Sequence, residues 1–119
     1  MVTWDDLHQK ERGLLEKEEC LSQDTKQIRR VKESYEEHFH KAAHFMENVG
    51  YTFHKNKSHF YFESMRDAFS RESRKIMEHL EANERELESE KKKVQRQVDD
   101  VAYEKRKISL TKEAETDER

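Results

Sequence analysis

The sequence predicts an all-α protein: a long antiparallel helical hairpin, in effect a two-helix coiled coil, with residues 1–119 forming one domain. Three observations carry that prediction. Apolar residues recur at sevens in both halves of the chain, the period of a helix seam. Proline is absent and glycine occurs only twice, while charged residues make up 43% and hydrophobic ones 32% of the chain, a composition suited to long helices. Most of the chain's phenylalanines and tyrosines gather between Phe45 and Phe69 around Gly50, where a chain that folds back needs both a turn and a plug. High charge with low hydrophobicity also marks disorder, but the missing proline and the regular apolar spacing argue for helix.

The first helix is expected over about residues 3–48. Thr3 can cap it, Asp6 three residues on completes a capping box, and Val2 with Leu7 can form a hydrophobic staple. Asp5 and Asp6 also suit the positive end of the helix dipole. From there Leu7, Leu14, Leu21, Ile28, Tyr35, Ala42 and Val49 continue at unbroken sevens. The companion position reads Trp4, Glu11, Glu18, Thr25, Lys32, Phe39 and Met46, apolar at both ends and polar between. Gly13 interrupts this arm at a cost of about 1 kcal/mol relative to alanine, either as a weak point or as a close-contact site.

A bend is expected over about residues 49–58, with Gly50 suited to a left-handed helix cap and Asn56 or Ser58 able to cap the second helix. That helix, about 59–112, precedes a charged tail over 113–119. One of its series, Phe62, Phe69, Ile76, turns polar at Asn83, Glu90 and Gln97; another runs Leu80, Leu87, Val94, Val101, Ile108. Both arms thus predict a full seam beside the bend and a thinner one towards the termini. Each arm would be roughly 70 Å long. Two helices bury only one stripe each, so the hairpin is marginal alone and should want further helices from a partner or a second copy.

Composition narrows the function classes. The 24 basic and 27 acidic residues interleave, leaving a net charge of −3; this reads as a solvated helix surface and not as a nucleic-acid footprint. The basic clusters Arg29-Arg30, Lys91-Lys92-Lys93 and Lys105-Arg106-Lys107 are all flanked by acids, which weakens phosphate or membrane-surface binding. Cys20 stands alone, so it makes no intrachain disulfide or multi-cysteine metal site. The opening MVTWDDLHQKER lacks an apolar core of signal-peptide length, and no stretch could span a membrane. A cytoplasmic protein is expected, with any export proceeding without a cleaved signal.

His40 and His44 share a helix face one turn after Glu36 and Glu37, a spacing able to bind metal. A bundle metal site needs ligands from more than one helix, however, and Glu37-x-x-His40 has no counterpart on the second arm. No metal or cofactor is therefore expected. A mild pH response through His38, His40, His44, His54 and His59 is the alternative role for these side chains. Without a glycine-rich phosphate loop or a nucleophile on a strand-to-helix turn, catalysis finds no support.

The aromatic group Phe45, Tyr51, Phe53, Phe60, Tyr61 and Phe62 can simply close the hairpin. Phe60, Tyr61 and Phe62 are consecutive, though, and must point to different sides of a helix. Some of them are free to anchor a partner, as buried aromatics often do. With the off-seam apolar residues, the candidate partner-binding set is Leu15, Val31, Phe45, Phe60, Tyr61, Met77, Val98 and Tyr103.

MVTWDDLHQKERGLLEKEE, QIRRVKESYEEHF, the bend ENVGYTFHKNKSHFYFE and the charged second arm resemble the LXG-associated α-helical proteins of Gram-positive bacteria. These are small partners of type VIIb-secreted toxins, WXG-like in outline. The resemblance covers essentially the whole chain without a diagnostic motif. It implies a non-catalytic chaperone and targeting factor that binds the N-terminal LXG domain of a toxin, together with a second small helical protein. Two departures qualify it. Val49-Gly50-Tyr51 stands where WXG-like secreted proteins carry Trp-x-Gly, and no Phe is followed four residues on by Asp, the pattern of one class of LXG partner. The resemblance therefore implies the class that lacks the export signal. The alternative reading is a self-associating structural coiled coil, with a homodimer and no toxin client.

Overall fold

The computed structural model describes residues 2–53, 55 and 57–117. The fold is all-α, with α1 over Trp4–Phe53 and α2 over His59–Asp117. Both helices run about five residues further than their periodicity implied. The reason is physical: residues 49–53 lack proline, so Gly50 costs the helix only about 1 kcal/mol, and the extension of α2 enters through Lys112, Glu113 and Ala114, which are good helix formers. The turn holds Lys55, Lys57 and Ser58; Asn56 and His54 lie outside the described residues.

The helix starts reflect local chemistry. Asp6 N–H donates to Thr3 Oγ1 at 3.2 Å and Thr3 N–H donates to Asp6 Oδ2 at 3.1 Å. This reciprocal pair satisfies two amides that the first turn would otherwise leave bare. Val2 stays exposed while Leu7 is buried. At the second start, Phe62 N–H donates to the carbonyl of Ser58 at 2.9 Å, which opens α2 with Ser58 in the capping position.

Gly50 does not act as a cap. It lies inside α1, and no glycine has positive φ. A Cβ there would stand 2.8 Å from Cε1 of Phe62. The missing side chain instead lets the Phe62 ring approach the α1 backbone. Gly13 has open space around it, with nothing within 4 Å of such a Cβ, so close contact is not its role.

Two compact units make up the chain. The terminal unit comprises Met1–Thr25 and Glu86–Arg119, and the bend unit comprises Lys26–Arg85. Each pairs a stretch of α1 with an antiparallel stretch of α2. In the terminal unit Lys105 meets Glu11 and Gln95 meets Glu18. In the bend unit Arg29 meets Glu84, and the ring of Phe39 meets that of Phe69.

The half-buried stripe of α1 runs in alternating steps of three and four from Trp4 to Val49, and only Tyr35 among its members is exposed. Both sevenfold series of this arm therefore line the seam, the polar one included. In α2 the same alternation holds from Met77 onward, through Leu80, Glu84, Leu87, Lys91, Val94, Val98, Val101, Lys105 and Ile108. The expected polar series Asn83, Glu90, Gln97 is not its companion.

Upstream, two four-residue steps succeed one another, from Phe69 to Ser73 to Met77. Such a stutter locally unwinds the seam. It turns Met77 inward and leaves Ile76, the third member of the expected Phe62–Phe69–Ile76 series, exposed.

The expected contrast between a full seam at the bend and a thin one at the termini is reversed. Among the described residues, the buried side chains Leu7, Thr25, Val94 and Val101 all belong to the terminal unit. Val94, at 1% exposure, is the most enclosed. Small β-branched side chains fit the hole between two helices, and long charged neighbours lay their stems over it. Thr25 is satisfied within its own helix, donating from Oγ1 to the carbonyl of Leu21 at 2.8 Å.

Candidate interaction surface

In the terminal unit, polar seam positions are built into a cluster. Lys105 Nζ lies 3.2 Å from Glu11 Oε1, 2.9 Å from His8 Nδ1 and 4.4 Å from the centroid of the Trp4 ring. Trp4 and His8 stack with centroids 4.9 Å apart. Lys105 and Glu11 side chains are only 15% and 19% exposed, so this pair works in a partly dry setting where attraction is less screened. The apolar residues left exposed in this unit are Val2, Leu15, Tyr103 and Leu110. Leu15 immediately succeeds a seam residue, whereas Tyr103 and Leu110 stand two after one, so they do not form one face.

The bend unit is arranged differently. Val31 and Phe45 each stand three residues after a seam residue of α1, and His38 occupies the same place between them. At about 100° per residue, this sets all three on one flank of the helix, with Tyr35 at the seam edge beside them. On α2, Met65 and Ile76 likewise stand three residues after Phe62 and Ser73, and Tyr61 adjoins Phe62 on the same flank.

An antiparallel helix pair has a local twofold axis normal to its plane, so equivalent positions on the two helices emerge on the same side. Val31, Tyr35, Phe45, Tyr61, Met65 and Ile76 therefore share one side of the bend unit. Their exposures run from 36% at Ile76 to 71% at Tyr61. The stutter contributes directly, because it is what turns Ile76 onto this side.

The opposite side is mainly charged. It carries Glu33, Glu36, His40 and Glu47 from α1, with Glu63, Arg74 and Glu78 from α2, all exposed. Asp67, Ser70, Arg71 and Arg74 line a shallow depression on α2. Across the end of the unit away from the bend, Lys32 reaches Glu84 at 3.6 Å and Glu81 at 3.9 Å, and Arg29 reaches Glu84 at 3.3 Å. Towards the apolar side, Glu37–Lys41 and Glu72–Lys75 pair along their own helices at 3.1 and 3.6 Å, with Glu72 three residues after the seam residue Phe69.

Of the eight residues expected to bind a partner, Val31, Phe45 and Tyr61 come together on the apolar side. Phe60 is exposed on the charged side, in the place that Glu33, His40 and Glu47 hold on α1, and Tyr51 is exposed on the outer surface of α1. Leu15 and Tyr103 are exposed in the terminal unit. Met77 and Val98 are not off the seam: both are half-buried in the stripe of α2. Sequence reasoning missed Tyr35, Met65 and Ile76. Counting threes and fours backward from Leu80 reaches Met77 before Ile76, the one signal that could have placed Ile76 outside the seam.

No group of three or more His, Cys, Asp and Glu among the described residues is arranged to hold a metal ion. Cys20 is exposed. Among the described residues, no helix is long and apolar enough to cross a membrane.

These features define an all-α helical hairpin with a cluster of exposed apolar residues on one side of its bend unit. The chain belongs to the family described as protein of unknown function (DUF3958), whose match spans residues 3–108. Neither curated proteins nor solved structures gave a match.

Proposed function

We propose that the chain is a non-catalytic helical partner protein that binds the N-terminal LXG domain of a type VIIb-secreted toxin and acts as a chaperone and targeting factor for its export. The observation that carries this reading is the apolar side of the bend unit. Six apolar side chains stand there without cover, while the opposite side of the unit is mainly charged, with Phe60 as its exposed large apolar residue. An elongated helical client is a natural occupant, because an amphipathic helix lays its apolar stripe along such a face through anchors three and four residues apart.

The resemblance of the N-terminal arm and the aromatic bend to LXG-associated helical proteins supplies the identity of the client. A second small helical protein in the same complex accords with that resemblance. The proposed docking surface lies on the bend unit and not along the terminal seam, because Val94, Val101 and Leu7 are already enclosed by the hairpin itself.

Co-expression with the N-terminal LXG domain of a candidate toxin, followed by purification and mass determination, tests the reading. A stable hetero-complex is expected. Phe45→Glu with Tyr61→Glu should reduce its recovery at least tenfold, the scale of losing an anchoring aromatic. Leu15→Glu with Tyr103→Glu should leave recovery unchanged. Failure of the unaltered chain to co-purify with the LXG domain would sink the proposal.

A further inference from the structure

We infer that, in the absence of a client, the apolar side of the bend unit is closed by the same side of a second copy. The inference deepens the proposed function, since it makes the dimer a competitor for the docking face. Val31, Tyr35, Phe45, Tyr61, Met65 and Ile76 keep between a third and seven-tenths of their surfaces. Together they expose roughly 600 Å² of surface, most of it apolar, which is towards the upper end of what a monomer ordinarily leaves bare. With rim atoms added, this approaches the roughly 800 Å² per partner of a standard interface. A twofold dimer needs no further surface.

Charge and shape also suit a second copy. Acids and bases flanking the face pair within their own helices, Glu37 with Lys41 and Glu72 with Lys75, so apposing two copies brings no unbalanced charge together. Gly50 lies level with Phe62, and Arg29 lies level with Glu84. The face accordingly runs from Tyr61 and Met65 near the bend to Val31 at the far end. A twofold lying in the interface across its middle sets α1 on α1 and α2 on α2 in reversed direction, so that Phe45 of one copy meets the Tyr35 and His38 region of the other and Met65 meets Ile76, which is how an isologous interface becomes self-complementary. The product is a four-helix arrangement at the bend units, in which Tyr35 and Ile76 become core residues.

Light scattering of the full chain during size exclusion, from about 1 to 200 μM, tests this, with helix content and melting followed by circular dichroism. Twice the chain mass is expected at the higher concentrations, with a melting temperature that rises with concentration. Phe45→Glu with Tyr61→Glu should yield the monomer with helix content retained and the concentration dependence lost. Should that pair lose helix, Met65→Lys is the milder variant, expected to weaken the dimer at least tenfold. A monomer at every concentration overturns the inference, and so does a dimer that survives substitution of this face.

Addition of the LXG domain separates the two ideas. A hetero-complex containing one copy of this chain supports displacement, and one retaining the dimer through the same face overturns it. If the LXG domain does not bind while the dimer forms, the toxin-partner reading fails and the self-association stands.

Discussion

The two units of the hairpin solve the same problem with opposite materials. The terminal unit encloses Leu7, Val94 and Val101 between just two helices, and polar residues complete its seam: Thr25 bonds its own helix, and Lys105 is held by Glu11, His8 and Trp4. The bend unit is richer in large apolar residues yet buries none of the described ones completely. Hydrophobic content and hydrophobic burial are thus separate quantities in a two-helix structure. A pair of helices covers one narrow stripe. Small side chains on that stripe disappear, and large ones spill onto the flank, where something else has to cover them.

Four sets of substitutions test this contrast between the units. The largest difference sets Val94→Asp against Phe45→Asp. The first places a carboxylate at the most enclosed position of the terminal unit and should cost about 3–5 kcal/mol. In the monomer the second should stay within about 0.5 kcal/mol. Urea unfolding monitored by circular dichroism, at concentrations where the chain is monomeric, reads both. Comparable losses would mean that the bend unit encloses Phe45 as firmly as the terminal unit encloses Val94.

Next in size is Lys105→Ala, which removes an ion pair, a cation–π contact and a stem that covers the seam. A loss of about 1–2 kcal/mol is expected, partly screened by added salt. Arg29→Ala in the bend unit serves as the comparison. Arg29 is 53% exposed, and its loss should stay below about 1 kcal/mol. Equal effects would show that enclosure of the ion pair makes no difference.

The two glycines give a finer comparison. Gly13→Ala gains helix propensity in open space and should stabilise by about 1 kcal/mol. Gly50→Ala gains the same propensity but must displace the Phe62 ring, so its net effect should be near zero or destabilising. Phe62→Leu introduced with Gly50→Ala should recover part of the difference if the clash is the cause. Thermal melts of the single and double variants decide. The smallest effect expected is from Thr3→Ala, about 1 kcal/mol or less at the exposed start of α1. It would register as earlier hydrogen exchange at residues 4–7 before any change in global stability.

Much of the fold was legible because it is local. The Thr3–Asp6 capping box is fixed by two side chains and two amides. The seam of α1 emerges from alternating threes and fours over nearly the whole helix. The candidate face was only half legible. Phe45 and Tyr61 stand out by type, and Val31 by its place off the seam. Tyr35 looks like a seam residue because it falls on the sevenfold series, yet it is left exposed on the flank where α2 stutters. Ile76 and Met77 are adjacent apolar residues that periodicity alone can exchange. Gly50 carries the composition of a cap and performs another task, because its neighbour Phe62 lies twelve positions along the chain on the other helix.

Local sequence was enough to make this protein two helices with their apolar stripes in sevens, joined near an aromatic turn, since period and capping depend on neighbours within a few residues. Which stripe is enclosed and which is left bare was settled by tertiary packing alone. Enclosure depends on the register between the helices and on the volume between them. That register is set where small Val94 and Val101 can sink between the helices and where Phe62 can pass over Gly50.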